Sequence, residues 1–588
     1  MQPRPNVNPG PDPSELRIAE IELAGGVPHP RAWFAIERHM HTSGDTAGSS
    51  RRAPSGVATH LAVAAVLVVS LGGCVSLQPG ANFPKSVSVA LAHPEETHLG
   101  AQFDNAALAH GGNSAFRIIS VGVDGFLMRA QMIDAAERTL DLQYFIFRGD
   151  ETGRLLTDGL LRAADRGVRV RVLVDDGDTV AGDEQISALD THPNVEVRIF
   201  NPFAYRGHNS MRRTLEFLFH ASRLDYRMHN KLLVVDNAVA LVGGRNIGNQ
   251  YFQMDPASQF ADDDVFAAGP VAVKLSATFD EFWSSPFAIP AAALDRHQSS
   301  AKALTERRGR AAERSEQQLQ TLNSDGIDYA VRVATGEPYA GVLAGRLPLV
   351  WARAEVVCDS PDKKNIESGD RRGRLMARSV LKAAHAAQHE VLIVTPYLVP
   401  AADEITLLQD LRKREVQVRI LTNSLESTPD PVAQAGYSNY RIPLLKDGVE
   451  LHELRALLGN TRGSGQTAVV SRYGNYGLHA KLFVFDREKL FVGSMNFDQR
   501  SKHLNTEIGV IIDSPELAQQ TALRFESMVQ PANAYALAWR TLGSGSSQLV
   551  WDSQVSGNAV EYTREPARSE WQRLEQSLLS WLPIAGEL

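Results

Sequence analysis

Cysteine is almost absent from this chain: 588 residues hold two, Cys74 and Cys358. A disulfide framework and a cysteine-rich metal site are thereby excluded. Long hydrophobic runs are missing as well. The apolar run LAVAAVLVVSL at 61–71 is eleven residues long, whereas a membrane-spanning helix takes about 20. Positive charge is also short, since 60 Lys and Arg against 68 Asp and Glu leave a net charge of −8. That balance argues against a broad nucleic-acid footprint, so no nucleic-acid partner is expected. A hydrophobic content of 43% allows sizeable cores, and the length suits two to four domains.

What the chain does have is a repeat. HNKLLVVDNAVALVGGRN at 229–246 and HAKLFVFDREKLFVGSMN at 479–496 both read His-x-Lys-x4-Asp-x6-Gly-(Gly/Ser)-x-Asn. The runs LLVV and LFVF are short and apolar, which predicts a buried strand with His and Lys at its entry. Positions two apart on a strand share a face, so His229 projects with Lys231, and His479 with Lys481. Asp236 and Asp486 follow at an odd offset, face the other way if the strand runs on unbroken, and are expected to be structural. The pairs Gly243, Gly244 and Gly493, Ser494 are expected to let the backbone approach a ligand. Asn246 and Asn496 then supply amide donors.

A lone His-x-Lys pair would be weak evidence; the duplication gives it weight. Two imidazoles, two ammonium groups and two amides converging on one point suit an anionic, phosphate-like centre that uses neither metal nor cofactor. One imidazole must be neutral to attack and the other protonated to release the leaving oxygen. The chemistry implied is phosphoryl transfer through a covalent phosphohistidine.

Elements alternate around each motif. Helical spacing over 123–139, a strand at 140–147, a helix ended by Gly167 and strands at 168–176 and 195–200 precede the first motif. A helix at 374–390 and strands at 391–399, 416–423 and 449–454 precede the second in the same order. The fold class is therefore α/β, with mixed sheets flanked by helices and an internal duplication of a unit of roughly 200 residues. The expected division is an unassigned extension at 1–39, a signal segment at 40–73, a linker at 74–113, unit 1 at 114–290, a helical connector at 291–345, unit 2 at 346–535 and a tail at 536–588.

Near the N-terminus Arg51 and Arg52, the apolar run and small residues lead to Cys74, a pattern of secretion with Met40 as an alternative start. Leu71, Gly72, Gly73 and Cys74 resemble the lipobox of bacterial lipoproteins. That likeness implies a lipidated Cys74 and a periplasm-facing envelope protein, with Val75 favouring the outer membrane.

The paired motifs resemble the phospholipase D superfamily. LDLQYFIF, LLRAADRGVRVRVLVDD, HPNVEVRIFNPF, RMHNKLLVVD, GGRNIGNQYF, NFDQRSKHLNTEIGVIIDSP and WLPIAGEL resemble its cardiolipin synthase C-type branch. The likeness covers about 115–588. It implies two units related by a pseudo-twofold axis with both motifs in one cleft, His229 as nucleophile and His479 as general acid, the reverse assignment remaining open. It implies that Lys231, Lys481, Asn246 and Asn496 hold the phosphate oxygens, and that an acidic residue orients the histidine of its own half: Glu507 in the second and Asp264, within the run Asp262, Asp263, Asp264, in the first. The substrates implied are phospholipids, phosphatidylglycerol and also phosphatidylethanolamine, met at a membrane surface. A hydrolytic phospholipase D, a nuclease of the same superfamily and an inactive scaffold are the alternatives. Oligomeric state is not legible.

Three further features have plain expectations. The stretch DDGDTVAGDE at 175–184 lacks calcium-loop spacing and reads as a solvated loop. Arg206, Arg212, Arg213, Arg223 and Arg227 make the approach to the first motif basic, either for anionic headgroups or to solvate a helix carrying Leu215, Leu218 and Phe219. Trp571, Leu574, Leu578, Leu579, Trp581 and Leu582 fall on one helical face, for which packing against the domain is the commoner fate. Cys358 is expected to be a buried free thiol.

Overall fold

The computed structural model describes residues 78–177, 188–207, 209–255, 258–294, 323–324, 327–328, 341–342, 348–365, 375–456, 475–541, 543 and 545–581. The extension, the signal segment with Cys74, most of the connector, residues 178–184 and Leu582 lie outside them. Two compact units divide the chain, and the unit formed by Val75–Asn209 and Leu215–Leu588 holds both motifs. Of the other, Met1–Cys74 with Ser210–Thr214, only the first turn of one helix is described.

The first half runs β1 (Ser114–Ile119), α1 (Gly122–Ala135), β2 (Thr139–Tyr144), α2 (Glu151–Asp165), β3 (Arg169–Asp175), β4 (Val195–Phe200), α3 (Ser210–Leu224), β5 (Lys231–Val235), β6 (Val239–Gly243), β7 (Asp264–Ala268) and α4 (Pro270–Ser284). The second runs β8 (Val350–Cys358), α5 (Leu375–Ala386), β9 (Glu390–Val394), α6 (Ala402–Lys413), β10 (Gln417–Asn423), α7 (Pro431–Ser438), β11 (Glu450–Leu454), β12 (Leu482–Phe485), β13 (Lys489–Gly493), β14 (Ile508–Asp513) and α8 (Pro515–Met528). Strand pairing gives the spatial order β4-β3-β2-β5-β6-β7-β1 in the first half. In the second it gives β11-β10-β9-β12-β13-β14-β8, the same order with the same parallel and antiparallel neighbours. β1 and β8 then pair antiparallel, Ala115 opposite Trp351, so equivalent edges meet and one sheet runs through both halves. The segment expected as a tail extends that sheet. Ala534–Thr541 (β15) pairs with β11, and Ser547–Val555 (β16) and Asn558–Tyr562 (β17) follow before the last described helix, α9 (Glu570–Leu579).

The motif strands carry unbroken apolar runs because both of their faces are buried. On β5, Leu233 and Val235 join the core under the first half's own helices, while Leu232 and Val234 enter a core shared by both halves. On β12, Leu482 and Val484 enter that shared core, and Phe483 and Phe485 pack under the second half's helices. Each fully buried Leu or Val contributes about 1.5–3 kcal/mol of transfer free energy. The shared core thus fixes the two histidine-bearing strands against each other.

Asp236 and Asp486 do the same structural work in the two halves. Asp236 accepts from the backbone N–H groups of Glu137, Arg138 and Thr139 at 2.8–2.9 Å. Asp486 accepts from those of Gln388, His389 and Glu390 at 2.7–2.9 Å. Each carboxylate therefore caps the unpaired donors where the neighbouring antiparallel strand begins. Each also starts a tight turn, with φ of 52° and 53° at Asp236 and Asn237 and of 53° and 55° at Asp486 and Arg487.

Candidate active site

His229 and His479 enter the site from equivalent strands, and each is held by a carboxylate from the other half. The Nδ1 of His229 lies 2.9 Å from Oε2 of Glu507, and the Nδ1 of His479 lies 2.6 Å from Oδ2 of Asp262. The expectation that each acid serves its own half is therefore corrected, as is the choice of Asp264. Asp264 is fully buried and pairs with Arg129 at 2.9 Å and Arg245 at 3.1 Å, on the helix-covered side of the sheet. The register explains the difference. Gly243 of β6 stands opposite Asp264, and Gly493 of β13 stands opposite Gly509. Counting back two residues from each partner reaches Asp262 and Glu507, so these two are the structural equivalents. Distance from the motif asparagine does not reveal that pairing; the register does.

The crossing depends on backbone pairing between the halves. Ser258–Ala261 forms a parallel pair with Asn475–Leu478, and the N–H groups of His479 and Ala480 both donate to the carbonyl of Ala261 at 2.8 and 3.0 Å. On the other side the N–H of His229 donates to Thr506 O, and the N–H of Thr506 donates to Arg227 O, both at 3.0 Å. Asp262 and Glu507 each follow immediately after such a contact. Neither short pairing carries a periodic sequence signal, because each is only one to four residues long.

The motif glycines stand where a side chain would collide with the neighbouring strand, and Gly244 makes room for Asp262 itself. A Cβ at Gly244 would lie 2.1 Å from Oδ1 of Asp262, and one at Gly243 would lie 2.5 Å from Asp264 Oδ1. A Cβ at Gly493 would meet the carbonyl of Ile508 at 2.5 Å, in the adjacent strand. At the fourth position the second half has a serine, and the Ser494 hydroxyl donates to Glu507 Oε2. The longer Glu507 is thus steered by a hydroxyl, where the shorter Asp262 needs the space of a glycine.

Each lysine sits beside its histidine at the entry of the strand that follows. Lys231 Nζ donates to His229 O at 2.7 Å and lies over the Phe145 ring, 5.2 Å from its centroid. Lys481 Nζ lies 3.0 Å from His479 Nδ1 and also donates to the His479 carbonyl. The two asparagines differ. Asn246 is engaged at both ends, accepting from Ile146 N–H at 3.2 Å and donating to the Tyr251 hydroxyl at 3.0 Å. Asn496 keeps a buried side-chain oxygen without a hydrogen-bond partner among the described residues. Aromatic rings wall both imidazoles: Phe145 meets His229 edge-on at 5.0 Å, and Tyr251 meets His479 at 5.1 Å.

Burial, reinforced by Lys231 and Lys481, holds the His229 imidazole well below its usual range. Burial and Lys481 bring His479 down to about 3. The carboxylates diverge. Burial pushes Glu507 up to about 7 against the pull of Lys231, whereas His479 and Lys481 outweigh burial at Asp262 and hold it at about 2. Burial also lowers Lys481 to about 8 and Lys231 well below the ordinary lysine value.

Residues that the sequence offered as solvent-facing turn out to brace the site. Asp175 and Asp176, read as part of a solvated loop, are buried. Asp175 accepts from Met228 N–H at 2.8 Å and pairs with Arg227 at 3.1 Å, while Asp176 pairs with Arg206. Arg223 donates to Asn201 Oδ1 and Pro202 O. Arg206, Arg223 and Arg227 are therefore engaged within the fold. Cys358 is a half-buried free thiol.

A family model described as cardiolipin synthase, phospholipase D-like domain, matches residues 130–283 and 380–529, one segment around each motif. The chain is similar to cardiolipin synthase C of Escherichia coli, with 35% identity over 81% of this chain and 96% of that protein. It is also similar to an uncharacterised protein of Helicobacter pylori, with 29% identity over 85% of this chain and 95% of the other. Among solved structures, a phosphatidylserine synthase from Haemophilus influenzae matches at 14% identity and a TM-score of 0.47, over 74% of this chain and 92% of that one. The duplicated motif, the repeated strand order and the matches over both halves make this chain a member of the cardiolipin synthase family of phospholipase D-like proteins.

Proposed function

We propose that this chain is a phosphatidyltransferase that acts on phospholipid phosphodiesters through a phosphohistidine, in the manner of a cardiolipin synthase. The observation that carries the reading is the pair of buried imidazoles, each fixed at Nδ1 by a carboxylate of the other half with a lysine beside it. A hydrogen bond at Nδ1 leaves Nε2 for the substrate. His229 attacks phosphorus, the bond to the headgroup oxygen breaks, and His479 gives its proton to that oxygen. His479 then takes the proton of an incoming alcohol, whose oxygen attacks phosphorus and releases His229. Lys231, Lys481 and Asn496 carry the phosphate oxygens.

The difference between the two carboxylates supports this division of roles. Asp262 stays ionised and favours an imidazolium at His479, whereas Glu507, near neutrality, leaves His229 uncharged and nucleophilic. A bound phosphodiester anion offsets the lysines that disfavour the imidazolium, so substrate itself raises the proton affinity of His479.

Lysine protonation sets the alkaline limit. Lys481 is lowered to about 8 and is needed as a cation, so kcat/KM is expected to fall as pH rises through that value. Lys481→Arg keeps the charge and is expected to remove the part of that fall that Lys481 contributes, leaving the part due to Lys231, at a lower overall rate. A pH profile of kcat/KM for both proteins checks it.

Phosphatidylglycerol as acceptor yields cardiolipin and water yields phosphatidic acid; phosphatidylethanolamine is an allowed donor. In mixed micelles of phosphatidylethanolamine and phosphatidylglycerol, cardiolipin formation that His229→Ala and His479→Ala both abolish is the expected result. Phosphatidic acid alone would move the reading to hydrolysis, and cleavage of DNA instead would sink it.

The sequence around Cys74 supports a lipid anchor on the bacterial envelope. No described helix is long and apolar enough to cross a membrane. Acyl labelling in cells is expected to disappear with Cys74→Ser; persistence of the label would remove the anchor.

A further inference from the structure

Two helices, one from each half, are inside out. In α9, Gln572 and Gln576 face the protein, with Gln572 Nε2 donating to Leu425 O at 2.6 Å and Gln576 buried. The apolar side chains point away from it: Trp571 is 64% exposed and Trp581 87%, with Leu574 and Leu578 exposed between them. Their spacing of three, four and three residues makes one stripe along the helix. This corrects the expectation that the stripe packs on the domain. In α3 the one buried residue is Leu224. Glu216 turns inward to accept from the N–H groups of Ala204 and Tyr205, while Leu218 and Phe219 are 61% and 80% exposed and Leu215 lies beside them. Apolar residues facing outward from polar inward ones reverse the normal burial rule and mark a contact surface.

α3 leads directly into the segment of His229, and α9 contacts a loop that is hydrogen-bonded to the residue before His479. α3 joins the end of β4 to the entry of β5, and Asp225, just beyond it, pairs at 2.7 Å with Arg500, four residues past Asn496. α9 rests on the loop after β10. At the start of that loop Asn423 exchanges two hydrogen bonds of 2.8 and 2.9 Å with Leu478, the residue before His479. Charge favours one occupant: the α3 sequence opens with Arg212 and Arg213, and its single acid, Glu216, turns inward, in a chain of net charge −8. Tryptophans at both ends of the α9 stripe suit the boundary between headgroups and acyl chains.

We infer that the outward faces of α3 and α9 form a docking surface for an anionic lipid bilayer, set beside the entrance to the site. The inference rests on the phospholipid reading and adds how such a substrate is met. A basic amphipathic helix lying in the interface binds through buried apolar area together with attraction to anionic headgroups.

The test uses the full chain carrying Cys74→Ser, so that no acyl anchor contributes. Vesicles of phosphatidylglycerol and phosphatidylethanolamine are sedimented with this protein, and with the same protein carrying Trp571→Gln and Leu578→Gln or Leu218→Gln and Phe219→Gln. Each pair is expected to weaken vesicle binding roughly tenfold or more, and turnover of dispersed short-chain phosphatidylglycerol is expected to stay unchanged. Brominated acyl chains are expected to quench the parent's tryptophan fluorescence, and less so after Trp571→Phe. Vesicle binding that survives both pairs overturns the surface while leaving the phospholipid reading intact. Self-association that the same substitutions abolish, with no vesicle binding by the parent, also overturns it in favour of a contact between copies. Vesicle binding lost in the variants, with no lipid turned over by the parent in any form, sustains the surface and sinks the substrate.

Discussion

His479→Ala protein mixed with a p-nitrophenyl phosphodiester accumulates a covalent adduct on His229, whereas His229→Ala protein forms none: that is the expected result. The nitrophenolate departs without a proton donor, so the first step no longer needs His479. The second step still does, because the incoming water or alcohol has lost its base, and the adduct persists. On a natural phospholipid both substitutions are expected to lower kcat by on the order of 10^4 or more, since the two imidazoles act as a unit. Peptide mass spectrometry at neutral pH locates the adduct. A modified His479 in the His229→Ala protein would reverse the roles and deny that the Asp262 and Glu507 difference governs them.

The legible part of the fold came from pattern and the illegible part from long-range register. LLVV and LFVF announced buried strands because both of their faces are covered, whereas Asp236 and Asp486 lie just past those strands in tight turns, so their caps on β2 and β9 come from the turn and not from the odd offset. The repeat order of helices and strands gave the duplication. Which acid meets which imidazole was not legible, because it depends on contacts spanning 217 residues from His479 to Asp262 and 278 from His229 to Glu507. Asp262, Asp263 and Asp264 look alike in sequence yet diverge in space. Asp262 reaches His479, Asp263 accepts from the Ser120 hydroxyl at 2.5 Å and pairs with Arg524 at 3.3 Å, and Asp264 serves Arg129 and Arg245. The C-terminal stripe misled for a different reason: periodicity shows that a helix has an apolar face, not which way that face turns.

Crossing the carboxylates makes catalysis depend on the joint between the halves, and the triple aspartate separates that dependence from stability. Asp262→Asn keeps the shape and leaves a neutral amide beside His479 Nδ1, so the imidazolium loses its countercharge and its fixed tautomer. The expected loss in kcat is on the order of 10^2 to 10^4, with the thermal midpoint nearly unchanged. Asp264→Asn is expected to do the opposite. Arg129 and Arg245 are buried beside it, and removing their shared negative charge leaves two guanidinium groups uncompensated, a cost of about 3–5 kcal/mol. Arg245 still donates to the carbonyls of Ile119 and Ser120 at 2.7 Å and to that of Asp262, so the folded fraction keeps Asp262 in place and turns over near the parent rate. Denaturant unfolding and kcat, measured on both variants at neutral pH, decide the matter. An Asp264→Asn protein that is fully stable but inactive would return that residue to the reacting centre, and an Asp262→Asn protein with full activity would remove the crossed carboxylates from the mechanism.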